Sequence, residues 1–290
     1  MAAIPGEAFA VLTALCFAGA NLCIARGAVR KSGDNGALLA TVTTVLAAGL
    51  LWGLGGATLP GSGASLVWFV LAGLVGVVLA RIMIYRSIRE VGVSASAILN
   101  RLNPFFALLL GVPFLGVALG SGDLLGIALL GLAIALLFRQ RAHGSHPLSA
   151  YRFGIVAAAG YGAANVLRKL GLEALPDAAL GAFVAALAGL AFYLLAAPFS
   201  ADYRRAFAAL LAPNPWQLAA AGFVAAAQVG MFLSLATGAF EAVVMILSLE
   251  LFVSMILSAH VLGLEPPLRA PSWIAAVCAA SGAVLVAITP

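Results

Sequence analysis

Residues 94–111 read SASAILNRLNPFFALLLG. The run is apolar enough to lie in lipid, yet Asn100, Arg101 and Asn103 fall within four residues, and Pro104 follows them. A charge in mid-span costs about 2.5–3.5 kcal/mol on insertion scales, so it faces a bundle interior or water and marks a candidate site. The rest of the chain decides whether this run does lie in lipid. Of its 290 residues, 64% are hydrophobic and only 9% are charged, with a mean hydropathy of +1.13. A soluble domain is roughly a quarter charged. Too few polar side chains exist to clothe a surface in water, so the chain is expected to be an all-α integral membrane protein. Alternating strand patterns are absent, which argues against a β-barrel.

A spanning helix needs about 20 mainly apolar residues. Ten segments qualify: 7–27, 36–57, 64–86, 93–115, 121–138, 153–171, 177–198, 215–237, 241–262 and 272–289. Turn-forming stretches such as GSGD, APNP and LEPPLRAP separate them. The N-terminus, MAAIPGEAFA, lacks the basic region of a secretory signal and runs straight into the first span. The longest polar connection, Arg139 to Arg152, falls between the fifth and sixth segments and suggests a duplicated chain. ALCFAGANLCIARG (from Ala14) can be laid over AAGYGAANVLRKLG (from Ala158), which brings Phe17 to Tyr161 and Asn21 to Asn165. Aligning the fourth and ninth segments puts Asn103 opposite Glu250 and Arg101 opposite Ser248. The expected organisation is therefore a first five-helix repeat in 1–138, a linker in 139–152 and a second repeat in 153–290. Five helices per copy reverses the second copy in the membrane, giving two inverted repeats about a midplane site. Basic residues concentrate on the linker side, with Arg168 and Lys169 assigned to the other. The linker is then cytoplasmic and both termini lie outside.

Arg101 lies about nine residues into its segment, roughly 13 Å deep, too far for easy snorkelling. Lining a cavity is favoured for it over pairing with a carboxylate. Arg81 is nearer an end, where either a site or a headgroup role is open. Glu250 is also near mid-span, as a counter-ion for Arg101, a proton carrier or an anchor for a cationic group. Asn21, Asn165 and Gln228 either join helices or read a substrate's polar edge. Phe17 and Tyr161 could stack on a planar substrate, although core packing is the simpler reading. Pro104 would free the carbonyl of Asn100 and act as a hinge. Trp68, Tyr151, Trp216 and Trp273 fit interfacial anchors. Cys16, Cys23 and Cys278 lie in apolar runs without ligand spacing, and His143 with His146 lack further ligands, so no metal or cofactor is expected. Nucleotide-binding and hydrolase motifs are missing, which argues against an enzyme. The basic loops are explained by membrane lipids rather than nucleic acid.

RIMIYRSIREVGVSASAILNRLNPFFALLLGVPFLG (Arg81 to Gly116), followed by LLGIALLGLAIALL, resembles the drug/metabolite transporter superfamily in its EamA-type branch. Gly92, Ser94 and Ala95 match the family's turn, Pro104 its proline, and Leu115 with Gly116 its close; VLGLEPP matches in the second half through Gly263 and Glu265. Three departures stand out. No Glu follows Gly116, Leu251 stands where Pro104 would repeat, and GATLPGSGAS is uncharged. The resemblance implies a ten-helix carrier in a bacterial inner membrane, working by alternating access and favouring efflux. The expected cargo is a small polar metabolite bearing a carboxylate, such as an amino acid or organic acid. Arg101, with Arg81, would hold its anionic group; Asn21, Asn165, Gln228 and Asn103 would line the remainder; protons are a candidate coupling ion. The alternatives are a quaternary-cation exporter using Glu250, a lipid-linked carrier flippase, or a subunit that binds membrane partners. Monomer and homodimer are both left open.

Overall fold

A computed structural model of the chain describes residues 5–27, 36–57, 63–141, 148–261 and 270–288. The described residues are mostly helical, with no strand among them. The chain is a multi-pass membrane protein, and its long helices are α1 (Gly6–Gly27), α2 (Ala37–Leu54), α3 (Ser65–Ile88), α4 (Ile98–Leu115), α5 (Ser121–Arg141), α6 (Arg152–Ala174), α7 (Ala178–Ala196), α8 (Pro215–Thr237), α9 (Phe240–His260) and α10 (Ala270–Ile288). Among the described residues nine of these are long and apolar enough to cross a membrane. The shortfall from ten is α6, which has 23 residues but carries Arg152, Arg168, Lys169 and Glu173. Its neighbours explain how it can: α6 lies against α3, α4, α7 and α8, so its polar face meets protein rather than lipid.

Local chemistry sets the ends. Asp177 caps α7 by accepting from Leu180 N at 2.9 Å. Asn214 and Gln217 form a reciprocal capping box on α8, with Pro215 in its first turn. Gly116, at φ 66°, ends α4 in the left-handed conformation that a side chain would strain. Helical turns continue from Ala64 to Asn100, but α3 and α4 do not form one rod. Ser87 Oγ and Ser96 Oγ are 2.7 Å apart, whereas nine residues of straight helix would separate them by about 13 Å. The chain therefore reverses between them.

The packing repeats at an offset of five helices. α1 lies on α8 as α6 lies on α3; α1 meets α9 as α6 meets α4; α2 meets α8 as α7 meets α3; and α2–α7 and α5–α10 are each their own counterpart. A pseudo-two-fold axis generates this set of pairings. Small residues permit the close approaches. At the α5–α10 crossing, an added Cβ on Gly126 would lie 2.7 Å from the Gly282 carbonyl oxygen, and one on Gly282 2.6 Å from that of Gly126. Leucines such as Leu46, Leu50 and Leu195 cover the outer wall, where lipid replaces water as their solvent.

One element breaks the pattern. The connection from α7 to α8 holds a short surface helix, Ala201–Ala209. Asp202, Arg204 and Arg205 face out, while Ala206 packs with Leu38 and Tyr193, flanked by Tyr203, Phe207 and Leu210. Tyr193 and Tyr203 meet edge to face at 5.5 Å.

Candidate functional site

α4 breaks near its start and α9 near its middle, at positions that the sequence alignment pairs. In α4 the amides of Arg101 and Leu102 bond back three residues, to Ile98 and Leu99 oxygens at 3.0 Å each. In α9 the amides of Ser248 and Leu249 bond to Met245 and Ile246 at 3.1 and 3.0 Å. Helix resumes with Phe106 bonding to Leu102 and Val253 to Leu249. Tight three-residue turns inside a longer helix are a usual mark of hinges or strain. The sequence alignment that paired Arg101 with Ser248 and Asn103 with Glu250 thus falls on matching geometry. Pro104 is not the cause. It sits in the first turn of the resumed helix, where a missing N–H costs little, and α9 breaks identically with Leu251 in its place.

The two breaks are tied together. Arg101 Nη2 lies 3.1 Å from Glu250 Oε1, with the two side chains 9% and 17% exposed. The same oxygen accepts from Asn21 Nδ2 at 2.7 Å, and Asn21 also reaches Ser254 Oγ at 3.4 Å. Arg101, expected to line a cavity, is instead the partner of Glu250. Asn21 is a third member of that group rather than a free reader of substrate. Its symmetry mate Asn165 also serves a charge, accepting from Arg168 Nη1 at 2.7 Å.

Arg168 is the residue that the sequence reading misplaced. Counted there with Lys169 among loop charges, it is 4% exposed within α6. Lys169 is half-buried and donates to the Leu235 carbonyl at 3.1 Å. Besides Asn165, Arg168 contacts Met231 Sδ at 3.7 Å and stacks over the Phe232 ring at 5.6 Å. Its Nε is buried without an acceptor, and no carboxylate among the described residues pairs with it. A signal for it existed. Tyr161, Asn165 and Arg168 recur at helical spacing on one face of α6.

Arg168 lines a cavity among α2, α3, α6, α7 and α8. Thr41, Thr44, Arg81 and Gln228 supply its other polar surface. The cavity holds about 20 Å³, room for one water, so the surrounding helices are drawn in. Arg81 Nη1 lies 3.5 Å from both the Ala37 carbonyl and Thr41 Oγ1, and 3.4 Å from the Tyr193 hydroxyl. Tyr161 is half-buried on α6, one turn before Asn165. Asn103 is half-buried just after the α4 break, and Phe17 is half-buried against the apolar core. His143 and His146 lie outside the described residues. Among those described, no cluster of three potential metal ligands occurs, and all three cysteines are free.

Residues 4–139 match the model of the EamA-like transporter family. A solved crystal structure with 15% sequence identity superposes at a TM-score of 0.74, covering 97% of this chain and 96% of its own. At that identity the likeness speaks for the fold. No curated protein matches the chain.

Proposed function

We propose that this chain, whose residues 4–139 match the EamA-like transporter family, is an EamA-type member of the drug/metabolite transporter superfamily and a secondary transporter of a small, carboxylate-bearing metabolite. It works by alternating access around the cavity among α2, α3, α6, α7 and α8. The observation that carries this reading is the pair of matched breaks in α4 and α9, joined by Arg101 and Glu250, in a bundle whose other helices line a polar cavity. Two half-helices that pivot at the same depth allow each repeat to swing while the centre stays put. The ion pair is the catch between them. Its desolvation is offset only while the partners stay together, so one closed arrangement is favoured until cargo or a coupling ion intervenes.

Arg101 is neutralised by Glu250, so the cargo's anion goes to guanidinium that faces the cavity. The same pairing argues against the quaternary-cation reading, because Glu250 already has a cationic partner. Protons are the coupling ion we favour, with Glu250 as their carrier. Family resemblance favours efflux across a bacterial inner membrane. With Arg168 and Lys169 inside α6, the short connections on the termini side hold no lysine or arginine, which supports a cytoplasmic linker and external termini.

Solute counterflow in proteoliposomes tests the proposal. Vesicles loaded with unlabelled organic acids should accumulate the labelled acid, and an imposed pH gradient should drive uptake. Absence of counterflow across a panel of small acids, with folded protein in the vesicles, would refute it.

A further inference from the structure

We propose that Arg168 is the anion anchor of the cavity, and that the site takes a monocarboxylate whose remaining body is uncharged, in preference to a zwitterion. This rests on the transporter reading for its purpose but not for its chemistry. The guanidinium has two usable edges. Its Nη1 is committed to Asn165 Oδ1 and Met231 Sδ. The structure gives no acceptor to Nε or Nη2, and Nε is wholly buried. Those two N–H groups share the flank of the guanidinium that accepts a carboxylate with two parallel hydrogen bonds. A buried guanidinium stays charged, so an anion arriving on that flank removes a standing desolvation cost.

Small residues border that flank. Gly76 lies in a π-helical stretch of α3, Leu74–Ala80, of a kind often found at functional sites. A Cβ there would stand 3.4 Å from Arg168 Nη2 and 3.0 Å from Ala164 Cβ. On the α7 side, Ala182, Ala185 and Ala186 face the cavity with the smallest side chains that still pack. A short body fits between them once the helices part.

The rest of the lining decides between the acids. Thr41, Thr44 and Gln228 offer hydroxyl and amide groups, and no Asp or Glu lines the cavity. Thr41 and Thr44 already donate to the Ala37 and Ala40 carbonyls at 2.9 and 2.7 Å, which leaves their oxygens as acceptors. A hydroxyl on the cargo is matched there. An ammonium would have to shed its water beside two cations, against neutral oxygens alone.

The test is a thermal-unfolding titration of the purified, detergent-solubilised protein with lactate, propionate, alanine and propionamide, each at millimolar concentration. Ligand that binds the folded state raises the midpoint by mass action. Lactate and propionate should raise it; propionamide should not; alanine should bind at least about tenfold more weakly than lactate, the scale of one charge-assisted hydrogen bond. Arg168→Gln should lose the carboxylate response, and Arg168→Lys should keep part of it. If both variants fail to fold, the wild-type preference for acid over amide and over zwitterion still decides. Alanine binding as well as lactate, or equal shifts with propionate and propionamide, would overturn the assignment. Carboxylate binding without counterflow would uphold the site and refute the transport reading. Counterflow of lactate with an unchanged KM in Arg168→Gln would do the reverse.

Discussion

Replacing Arg101 by methionine removes the cation and leaves Glu250, 17% exposed, with Asn21 at 2.7 Å as its remaining donor across the helix interface. A carboxylate so enclosed has lost most of its water, and breaking a buried pair in this way costs about 3–5 kcal/mol. Glu250→Leu should cost about as much, because Arg101 already has a buried Nε without an acceptor and would lose its charge partner as well. The double variant Arg101→Met/Glu250→Leu removes both charges together. It should return to within about 1 kcal/mol of wild type, since apolar replacement of a whole buried pair is often neutral or better. The coupling energy is then at least about 3 kcal/mol, well above the few tenths found for independent sites. Reversible unfolding of the four proteins in mixed dodecylmaltoside–SDS micelles measures it. Singles that add to give the double within about 0.5 kcal/mol would refute the reasoning. The ion pair would then carry no weight as a catch, whatever the distance between its atoms.

Other outcomes follow from the same geometry. Pro104→Ala should leave the α4 break and counterflow intact, because α9 breaks at the same register with leucine in that place; a transport loss above about tenfold would restore proline as the hinge. Gly282→Leu should destabilise by roughly 1–3 kcal/mol or more, since even a Cβ there falls 2.6 Å from the Gly126 oxygen; unchanged unfolding in mixed micelles would contradict the α5–α10 crossing. Tyr193→Phe should change stability by less than about 0.5 kcal/mol, because its hydroxyl is 3.4 Å from Arg81 Nη1, while Asn165→Ala should raise the KM for a carboxylate by freeing Arg168 to turn. An unaltered KM with a lowered maximal rate would instead mark Asn165 as part of the moving scaffold.

The architecture was legible because lipid imposes a coarse rule: about twenty apolar residues, then a turn. The register of the α4 and α9 breaks was legible too, through the pairing of Arg101 with Ser248. What the sequence hid is direction. Arg101 and Arg168 are both arginines within apolar helices, and one-dimensional depth could not tell which of them meets a carboxylate. Arg101 does, because Glu250 comes from the ninth span by way of the pseudo-symmetry. Arg168 was set aside because it lies near the end of its apolar segment, 153–171, and was counted with Lys169 among the charges of the termini side. Its Asn165 and Phe232 contacts turn it inward, and the second of these spans 64 residues of chain. Pro104 misled for the opposite reason. A strong local breaker stood next to a break that the fold makes with or without it.

The surface helix between α7 and α8 has a thermodynamic reach beyond its size. If the halves were perfect copies, the outward-open and inward-open forms would be interchanged by swapping their roles, and their free energies would be equal. The α2–α3 connection is residues 55–64, while the α7–α8 connection is the longer 197–214. Tyr203 and Phe207 pack beside Leu38 and Tyr193, which ties this connection to α2 and α7. Under the alternating-access proposal, such a one-sided contact lifts the degeneracy and favours one open form of the empty carrier over the other.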